Sequence, residues 1–340
     1  MRLASYTLLP YGVSMRLSLY DTEMNRIAII GEHFVSCFWS EGYNTVEDFS
    51  MELQATDEYK KKVKTDYYVG RDDRKTLMVI KTVEVRDNLI VATGKQAARV
   101  LGDVAFVGTI SAGANIPTAI QTAYASSDKF PMVEISGDGP SVAYVAQISH
   151  KSFQQLCETM CKAEEVGFRA VRSNGGILVE FYQPEENPNL IFSERFGNLD
   201  FQSLTKSTAN YKNYAVVLGE GEGSDRVRAY VDMTNGAQRR TLIVDAKDLQ
   251  KKDGETDSSY YARLQARGIE KLLATTEVFK CAFAPLASDF GTRYDLGDVL
   301  TVLLPDHGIK IQARVSRFTQ ISQINITETS VEVGNIIALR

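Results

Sequence analysis

The chain has 340 residues, of which 43 are acidic and 38 are basic, so its formal net charge is −5. Its hydrophobic fraction of 44% is ordinary for globular proteins and argues against extensive disorder. The small negative charge provides no basic field for phosphate backbones, and no apolar run reaches about 18 residues, so neither nucleic-acid binding nor membrane insertion is expected.

The opening segment, residues 1–14, is interpreted as an N-terminal arm. It lacks the continuous apolar core and the small-residue cleavage site of a secretion signal. Met15 starts a cleaner strand pattern and is an alternative start site. The cysteines are too sparse for a disulfide framework, and we expect reduced thiols made in a cytoplasm. They are Cys37, Cys157, Cys161 and Cys281.

Residues 15–91 consist of short alternating runs. Runs at 16–20 and 26–30 open the segment, and a run at 89–91 closes it. A period of two residues, interrupted by Asp, Asn and Gly, is typical of antiparallel strands joined by hairpins. The pattern predicts a small β-barrel or sandwich.

Residues 92–200 have a mixed α+β pattern. Helices are predicted at 95–101, 116–125 and 152–166, with Pro117 in the first turn of the second helix, where its missing N–H costs nothing. A hairpin is predicted next, with strands at 168–171 and 177–181.

Strand patterns return after residue 200. A meander is predicted from the runs at 214–218, 226–231 and 240–244. One inserted helix is expected within 256–277, with Asp257 as its N-cap. Its apolar side is predicted to carry Tyr261, Leu264, Leu272 and Leu273. Further strands are predicted at 299–303, 309–315 and 330–333.

Two segments far apart in the chain have the same pattern of strand, polar turn and strand. They are residues 67–83 and 300–315, with turns at 72–73 and 306–308. Any two hairpins are alike to this degree, but a duplicated barrel would leave this trace.

The cysteine pair Cys157 and Cys161, with His150 upstream, is the pattern closest to a metal site. Structural zinc sites usually have two separated ligand pairs, and the sequence has no second pair. At helical spacing both cysteines fall in one apolar stripe with Phe153, Leu156 and Met160. We therefore predict buried core thiols without metal.

The glycine-rich segments do not have the features of phosphate loops. The segment 219–223 is followed by a predicted strand rather than a helix, which indicates a hairpin tip. The segment 137–141 is a turn with a possible helix start, and no Lys follows its glycines. The basic run 60–64 lies beside acidic residues and is interpreted as a solvated face.

No residue is assigned a catalytic, cofactor-binding or metal-binding role. Only His33, His150 and His307 could serve a nucleophile as base, and His307 lies in a turn that is expected to be solvent-exposed. The sequence does not exclude a glycosidase-like pair of catalytic carboxylates, but no pair of acidic residues stands out from the others.

The order of these features resembles baseplate hub proteins, the tail-tip hubs or tail-associated proteins of long-tailed siphophages of Gram-positive hosts. The resemblance begins with the strand–turn–strand segment 19–27, continues with the Phe-x-Met-x-Leu strand at 49–53, and includes 89–101. Later blocks at 196–199, 211–219, and 260–273 followed by 295–302 occur in the same order, so the resemblance covers about residues 15–340.

The resemblance implies a mainly β fold with α+β elements, in which two related small β-barrels flank an α+β domain. The first barrel would be residues 15–91, the α+β domain 92–200, and the second barrel 201–255 with 278–340, interrupted by the helix at 256–277. It also implies a homotrimer in the virion tail tip, whose partners would be a distal tail ring protein, a tube or tape-measure protein, and a tip or receptor-binding protein.

The resemblance also implies a structural role without catalysis. Many relatives continue into a cell-wall hydrolase, whereas this chain stops at Arg340, so we expect a partner to supply any such activity. Two alternatives remain: a peptidoglycan hydrolase with two carboxylates, and a glycan-binding tail module with exposed aromatic residues.

Overall fold

The computed structural model describes residues 15–173, 175–275, 278–285, 290–324 and 326–336. The predicted N-terminal arm, residues 1–14, lies outside the described residues. The chain forms two compact units. The first unit takes the chain up to Ser203 and again from Cys281 onward, and the second unit is Leu204–Lys280.

The strands carry most of the regular structure. They are β1 Leu17–Tyr20, β2 Arg26–Gly31, β3 Ser36–Gly42, β4 Asp48–Gln54, β5 Tyr68–Arg71, β6 Leu77–Arg86, β7 Leu89–Gln96, β8 Ala105–Ile110, β9 Val133–Ile135, β10 Ile148–Ser152, β11 Gly167–Ser173, β12 Gly176–Tyr182, β13 Glu186–Phe192, β14 Leu199–Ser207, β15 Tyr214–Leu218, β16 Arg228–Asp232, β17 Thr241–Asp245, β18 Val278–Pro285, β19 Val299–Leu304, β20 Ile309–Gln323 and β21 Ile326–Ile336.

The α-helices are α1 Asp57–Lys62, α2 Ile116–Ala125, α3 Phe153–Ala163 and α4 Asp257–Leu273. Short 3₁₀ helices cover Ala97–Asp103, Glu194–Phe196, Gly223–Asp225 and Pro305–His307. No helix among the described residues is long and apolar enough to cross a membrane. The prediction of a mainly β fold with an α+β part is confirmed.

One large sheet organises the first unit. Its strand order is β14-β18-β21-β20-β3-β4-β7-β6-β5-β1-β2. In addition, β19 pairs with β20, and β13 pairs with β19. Alternate side chains along these strands are buried, as in β4, where Phe49, Met51 and Leu53 point into the core. Trp39 on β3 packs edge-on against Phe49 at 5.7 Å between ring centroids.

The large sheet contains two sets of strands in the same order. The first strand set, β1 and β3 to β7, is arranged β3-β4-β7-β6-β5-β1. The second strand set, β13, β14 and β18 to β21, is arranged β14-β18-β21-β20-β19-β13. Numbered along the chain within each set, both orders are 2-3-6-5-4-1. One pairing differs in direction, because β1 is antiparallel to β5 whereas β13 is parallel to β19.

This order groups the strands differently from the predicted domains. The strands of 201–255 and 278–340, which the sequence assigns to one barrel, lie in different sheets: β15 to β17 form a separate sheet in the second unit. The first two strands of the second set, β13 and β14, begin at Glu186 and Leu199, before the predicted boundary at 200. The two hairpins of the predicted echo, β5–β6 and β19–β20, occupy equivalent places in the two sets.

The α+β part of the first unit packs α2 and α3 against short strands. Its core includes Ile116, Ile120, Phe153 and Phe168. The helices predicted at 116–125 and 152–166 are confirmed as α2 and α3. The helix predicted at 95–101 is wrong in its first residues, because β7 continues to Gln96 by pairing with β4 and β6, and a 3₁₀ helix follows.

The second unit is a three-stranded sheet, β16-β15-β17, with α4 against one face. The predicted meander is wrong, because β17 pairs parallel with β15. The N-cap of α4 is Thr256, whose hydroxyl accepts a hydrogen bond from the Ser259 amide, rather than Asp257. The apolar side carries Tyr260 instead of the predicted Tyr261, together with Leu264 and Leu272, and Leu273 is not described at the side-chain level.

Candidate functional site

The cysteines lie where the helical spacing places them. Ser152 caps α3 in a capping box with Gln155, which fixes the start of the helix. Cys157 and Cys161 are buried in the core of the α+β part, and burial raises the pKa of both thiols well above its usual range. Their assignment as buried helix residues is confirmed.

The histidines are dispersed over the surface. His33, His150 and His307 are all exposed, and His307 stacks near Phe201 at 4.7 Å between ring centroids. Across the parts of the chain that the structure describes, no group of three His, Cys, Asp or Glu side chains could hold a metal ion.

The glycine-rich segments are connections between strands. Segment 219–223 leads through the turn Gly223–Asp225 into β16, so the predicted hairpin tip is confirmed. The possible helix start at 137–141 is wrong, because that segment is a loop. The basic run 60–64 includes the exposed end of α1, where Lys62 pairs with Glu58 at 2.6 Å.

Five charged side chains, one of them buried and four partly buried, form a cluster that the sequence did not predict, and we name it the ionic junction. It consists of Glu41, Arg74, Arg169, Glu180 and Asp295. These residues come from β3, the β5–β6 turn, β11, β12 and the loop before β19. The junction therefore links the first strand set, the α+β part and the second strand set, all within the first unit.

Glu41 is the most deeply buried member, with none of its surface exposed. Arg74 donates to both carboxylate oxygens, from Nε at 2.9 Å and Nη2 at 3.0 Å. Trp39 Nε1 and Thr76 Oγ1 donate at 2.8 Å each. Burial alone would raise the pKa of Glu41, but the charge of Arg74 and these hydrogen bonds lower it to about 2.

Arg74 also contacts the loop that precedes β19. Its Nη2 lies 3.2 Å from Asp295 Oδ1, and its guanidinium lies over the rings of Phe290 and Phe318 at 4.5 and 5.3 Å. Those two rings are stacked with centroids 4.2 Å apart. The apolar rings exclude water from the guanidinium, which strengthens its interactions with both carboxylates.

Arg169 connects the α+β part to the same aspartate. It lies opposite Glu180 in the β11–β12 register and donates to that carboxylate at 2.6 Å. Its Nη1 reaches Asp295 Oδ2 at 3.2 Å, so Asp295 receives one arginine from each side. Tyr182 lies beneath the guanidinium at 4.8 Å and donates its hydroxyl hydrogen to the Leu296 carbonyl.

Asp298 shapes the loop that presents Asp295. Its carboxylate oxygens accept hydrogen bonds from the backbone amides of Glu185 and Asp295, each at 2.7 Å. Burial nevertheless raises its pKa above the usual range. Gly297 turns the loop at a φ of +89°, and a side chain there would meet Tyr43. The Asp-x-Gly-Asp pattern at 295–298 was the one visible signal, but its arginine partners are distant in sequence.

The ionic junction is arranged for support rather than for acid–base chemistry. A glycosidase general acid needs a raised pKa and access to substrate. Glu41 is enclosed, fully hydrogen-bonded and held ionised, and Asp298 is engaged with two backbone amides. The geometry fixes the relative positions of the segments that it connects.

Exposed apolar residues mark surfaces that could meet other molecules. In the second unit, α4 covers one face of the sheet. On the other face, 51% of the surface of Tyr230 and 69% of the surface of Ile243 are exposed. On the same face, the guanidinium of Arg239 stacks on Tyr214 at 3.9 Å. Such a face is suited to contact with a partner.

The fold is that of bacteriophage tail proteins. A tail protein from Neisseria meningitidis matches with a TM-score of 0.61 at 12% identity, over 96% of this chain and 97% of that chain. A prophage tail protein from Shewanella oneidensis matches with a TM-score of 0.57 at 10% identity, over 94% and 97%. Another, from Listeria monocytogenes, matches with a TM-score of 0.54 at 10% identity, over 94% of both chains.

Within that class, the chain belongs to the family of Siphovirus ReqiPepy6 Gp37-like proteins, whose model matches residues 16–335. No curated protein sequence matches the chain. The resemblance to phage tail proteins that the sequence suggested is thereby confirmed.

Proposed function

We propose that this protein is the structural hub of a phage tail tip or baseplate, a homotrimer that adapts a six-fold tail ring or tube to a three-fold tip without catalysis. The observation that carries the proposal is the shared strand order of the two strand sets. Two similar sets in each of three subunits present six similar faces, arranged about 60° apart around the axis.

We further propose domain boundaries that follow the strand sets. The first hub barrel takes β1 to β7, and the second takes β13, β14 and β18 to β21. The α+β part lies between the two in sequence, and the second unit is an insertion between β14 and β18.

The ionic junction suits this role because a symmetry adapter works only if its two sets keep a fixed relation. Glu41 belongs to the first set, whereas Asp295 directly precedes the strands β19 to β21 of the second. Arg74 contacts both carboxylates. Loss of one partner would leave a buried charge unpaired, a penalty of about 3–5 kcal/mol that keeps the arrangement unique.

The proposed partners are those of a tail tip. A distal tail ring, a tail tube or tape-measure protein, and a tip or receptor-binding protein would contact the hub in the virion, after synthesis in the host cytoplasm. A partner would supply any cell-wall hydrolase.

Electron cryomicroscopy of isolated tail tips tests the proposal. We expect three copies of the chain, with a rotation of about 60° around the trimer axis bringing the first strand set near the second. A different copy number, or two strand sets that no such rotation relates, would refute the symmetry-adapter function.

A further inference from the structure

The two strand sets are joined directly by one pair of strands. The second half of β20 pairs antiparallel with β3, in a register that runs from Arg317 opposite Gly42 to Gln323 opposite Ser36. The fifth strand of the second set thus pairs with the second strand of the first set. This strand pairing attaches one set to the other within a single chain.

The counterpart of β20 in the first set is β6, and the two strands agree in detail. Each begins by pairing with the fourth strand of its set, with Val79 opposite Tyr68 and Arg314 opposite Val299. Each then has an irregularity against its sixth strand, between Ile80 and Thr82 in β6 and between Val315 and Arg317 in β20. Beyond that point β20 pairs with β3, whereas β6 pairs with β7 alone among the described strands.

The outer edge of β6 offers backbone groups for pairing. Asp87 and Asn88, both with positive φ, make a two-residue turn that places Arg86 opposite Leu89. In such hairpins the pair next to the turn is hydrogen-bonded, so the next residue back, Val85, directs its N–H and C=O away from β7. Val85 is 56% exposed.

The counterpart of β3 in the second set is β14, which ends the order of strands in the large sheet. It pairs with β18 on one side, and no described strand covers its other side. Asp200, Gln202 and Ser203 on this strand are exposed. An edge that is open in an isolated chain is a template for another strand.

We propose that copies of this chain join by antiparallel strand pairing between the outer edge of β6 in one copy and the open edge of β14 in the next, which repeats the β20–β3 junction between subunits. This inference rests on the proposed trimer and names its interface. Each copy offers one edge of each kind, so the contact is heterologous and closes into a ring at three copies.

The charges agree with this orientation. In the β20–β3 junction the end of one strand meets the start of the other. The same arrangement brings Arg86, at the end of β6, near Asp200, at the start of β14. Both side chains are exposed in the single chain, so they are available for a cross-strand ion pair.

Cysteine trapping of the full chain tests the pairing, because the four native cysteines are buried. Arg86→Cys is combined in turn with one cysteine at each of positions 199–203, since only a facing pair meets the geometry of a disulfide. We expect one such chain to form covalent dimers and trimers under mild oxidation, whereas either single substitution stops at dimers. Links that require both cysteines show that the two edges meet.

A proline pair provides the matched control. Val85→Pro removes an amide that points away from β7, so the chain should still fold, as measured by circular dichroism. The amount of trimer, measured by native mass spectrometry or in tail tips, should fall at least tenfold. Glu84→Pro removes a hydrogen bond to β7 and should lower the melting temperature instead. If Val85→Pro does not fold, Arg86→Asp and Asp200→Arg should each weaken the trimer, and the two together should restore it.

The outcomes separate the interface from the function. If tail tips contain three copies but no cysteine pair links them and Val85→Pro assembles normally, the strand pairing is refuted while the hub function stands. If a cysteine pair links copies into chains other than trimers, the edges meet but the closed ring is refuted. If the tip contains a different copy number and nothing links, both proposals fail.

Discussion

Glu41→Gln removes the buried charge of the ionic junction with little change in shape. The carboxylate accepts four hydrogen bonds, two of them from Arg74, and glutamine cannot accept all of them because one of its terminal atoms is a donor. The substitution therefore leaves Arg74 with Asp295 as its remaining charged partner.

The magnitude follows from the pKa of Glu41. The fall of the pKa from the ordinary glutamate value of 4.5 to about 2 corresponds, at about 1.4 kcal/mol per unit, to roughly 3 kcal/mol of stability. Because the folded pKa is depressed, this contribution is fully present above pH 4.5 and is lost as the pH falls from 4.5 toward 2. The variant should lack this part of the acid dependence.

Urea unfolding followed by tryptophan fluorescence measures the effect, because Trp39 is the chain's only tryptophan and donates directly to Glu41. We expect the variant to lose about 3 kcal/mol at pH 7, and we expect the difference from the parent to shrink to about 1 kcal/mol or less near pH 2.5. Glu58→Gln, which removes an exposed carboxylate paired with Lys62, is the control and should change stability by less than about 0.5 kcal/mol. An equal stability deficit at pH 7 and pH 2.5 would refute the reasoning.

Three further predictions concern packing and activity. Cys157→Ala should cost about 1 kcal/mol through lost core contacts and leave assembly unchanged, whereas stoichiometric zinc or iron in elemental analysis of the parent protein would contradict a purely packing role. Gly297→Ala should lower the melting temperature more than Gly223→Ala. Both glycines have positive φ, but only at position 297 would the new Cβ meet Tyr43. Equal effects would contradict a close contact between residue 297 and Tyr43. A zymogram of the purified protein on cell walls should show no clearing, and a clearing band abolished by one carboxylate substitution would overturn the non-catalytic role.

The sequence determined local structure where a single segment carries its own signal. The alternating runs of β4 and the apolar stripe of α3 depend on neighbours in the chain, so their periodicity placed them and the two buried cysteines. The hairpins β5–β6 and β19–β20 were equally local, and their likeness hinted at duplication. The N-cap of α4 was missed by one residue, since Thr256 and Asp257 are both good caps and only the backbone conformation distinguishes them.

The tertiary structure decided how the strands group and where the charges meet. No pattern in β17 shows that it pairs parallel with β15, and none in β14 shows that it belongs with β21 rather than with β15, because strand pairing depends on partners far along the chain. Glu41, Arg74 and Asp295 are separated by dozens to hundreds of residues, and in sequence each resembles a surface charge. Only folding brings these residues together in the ionic junction and removes water from around Glu41, so that its charge depends on Arg74.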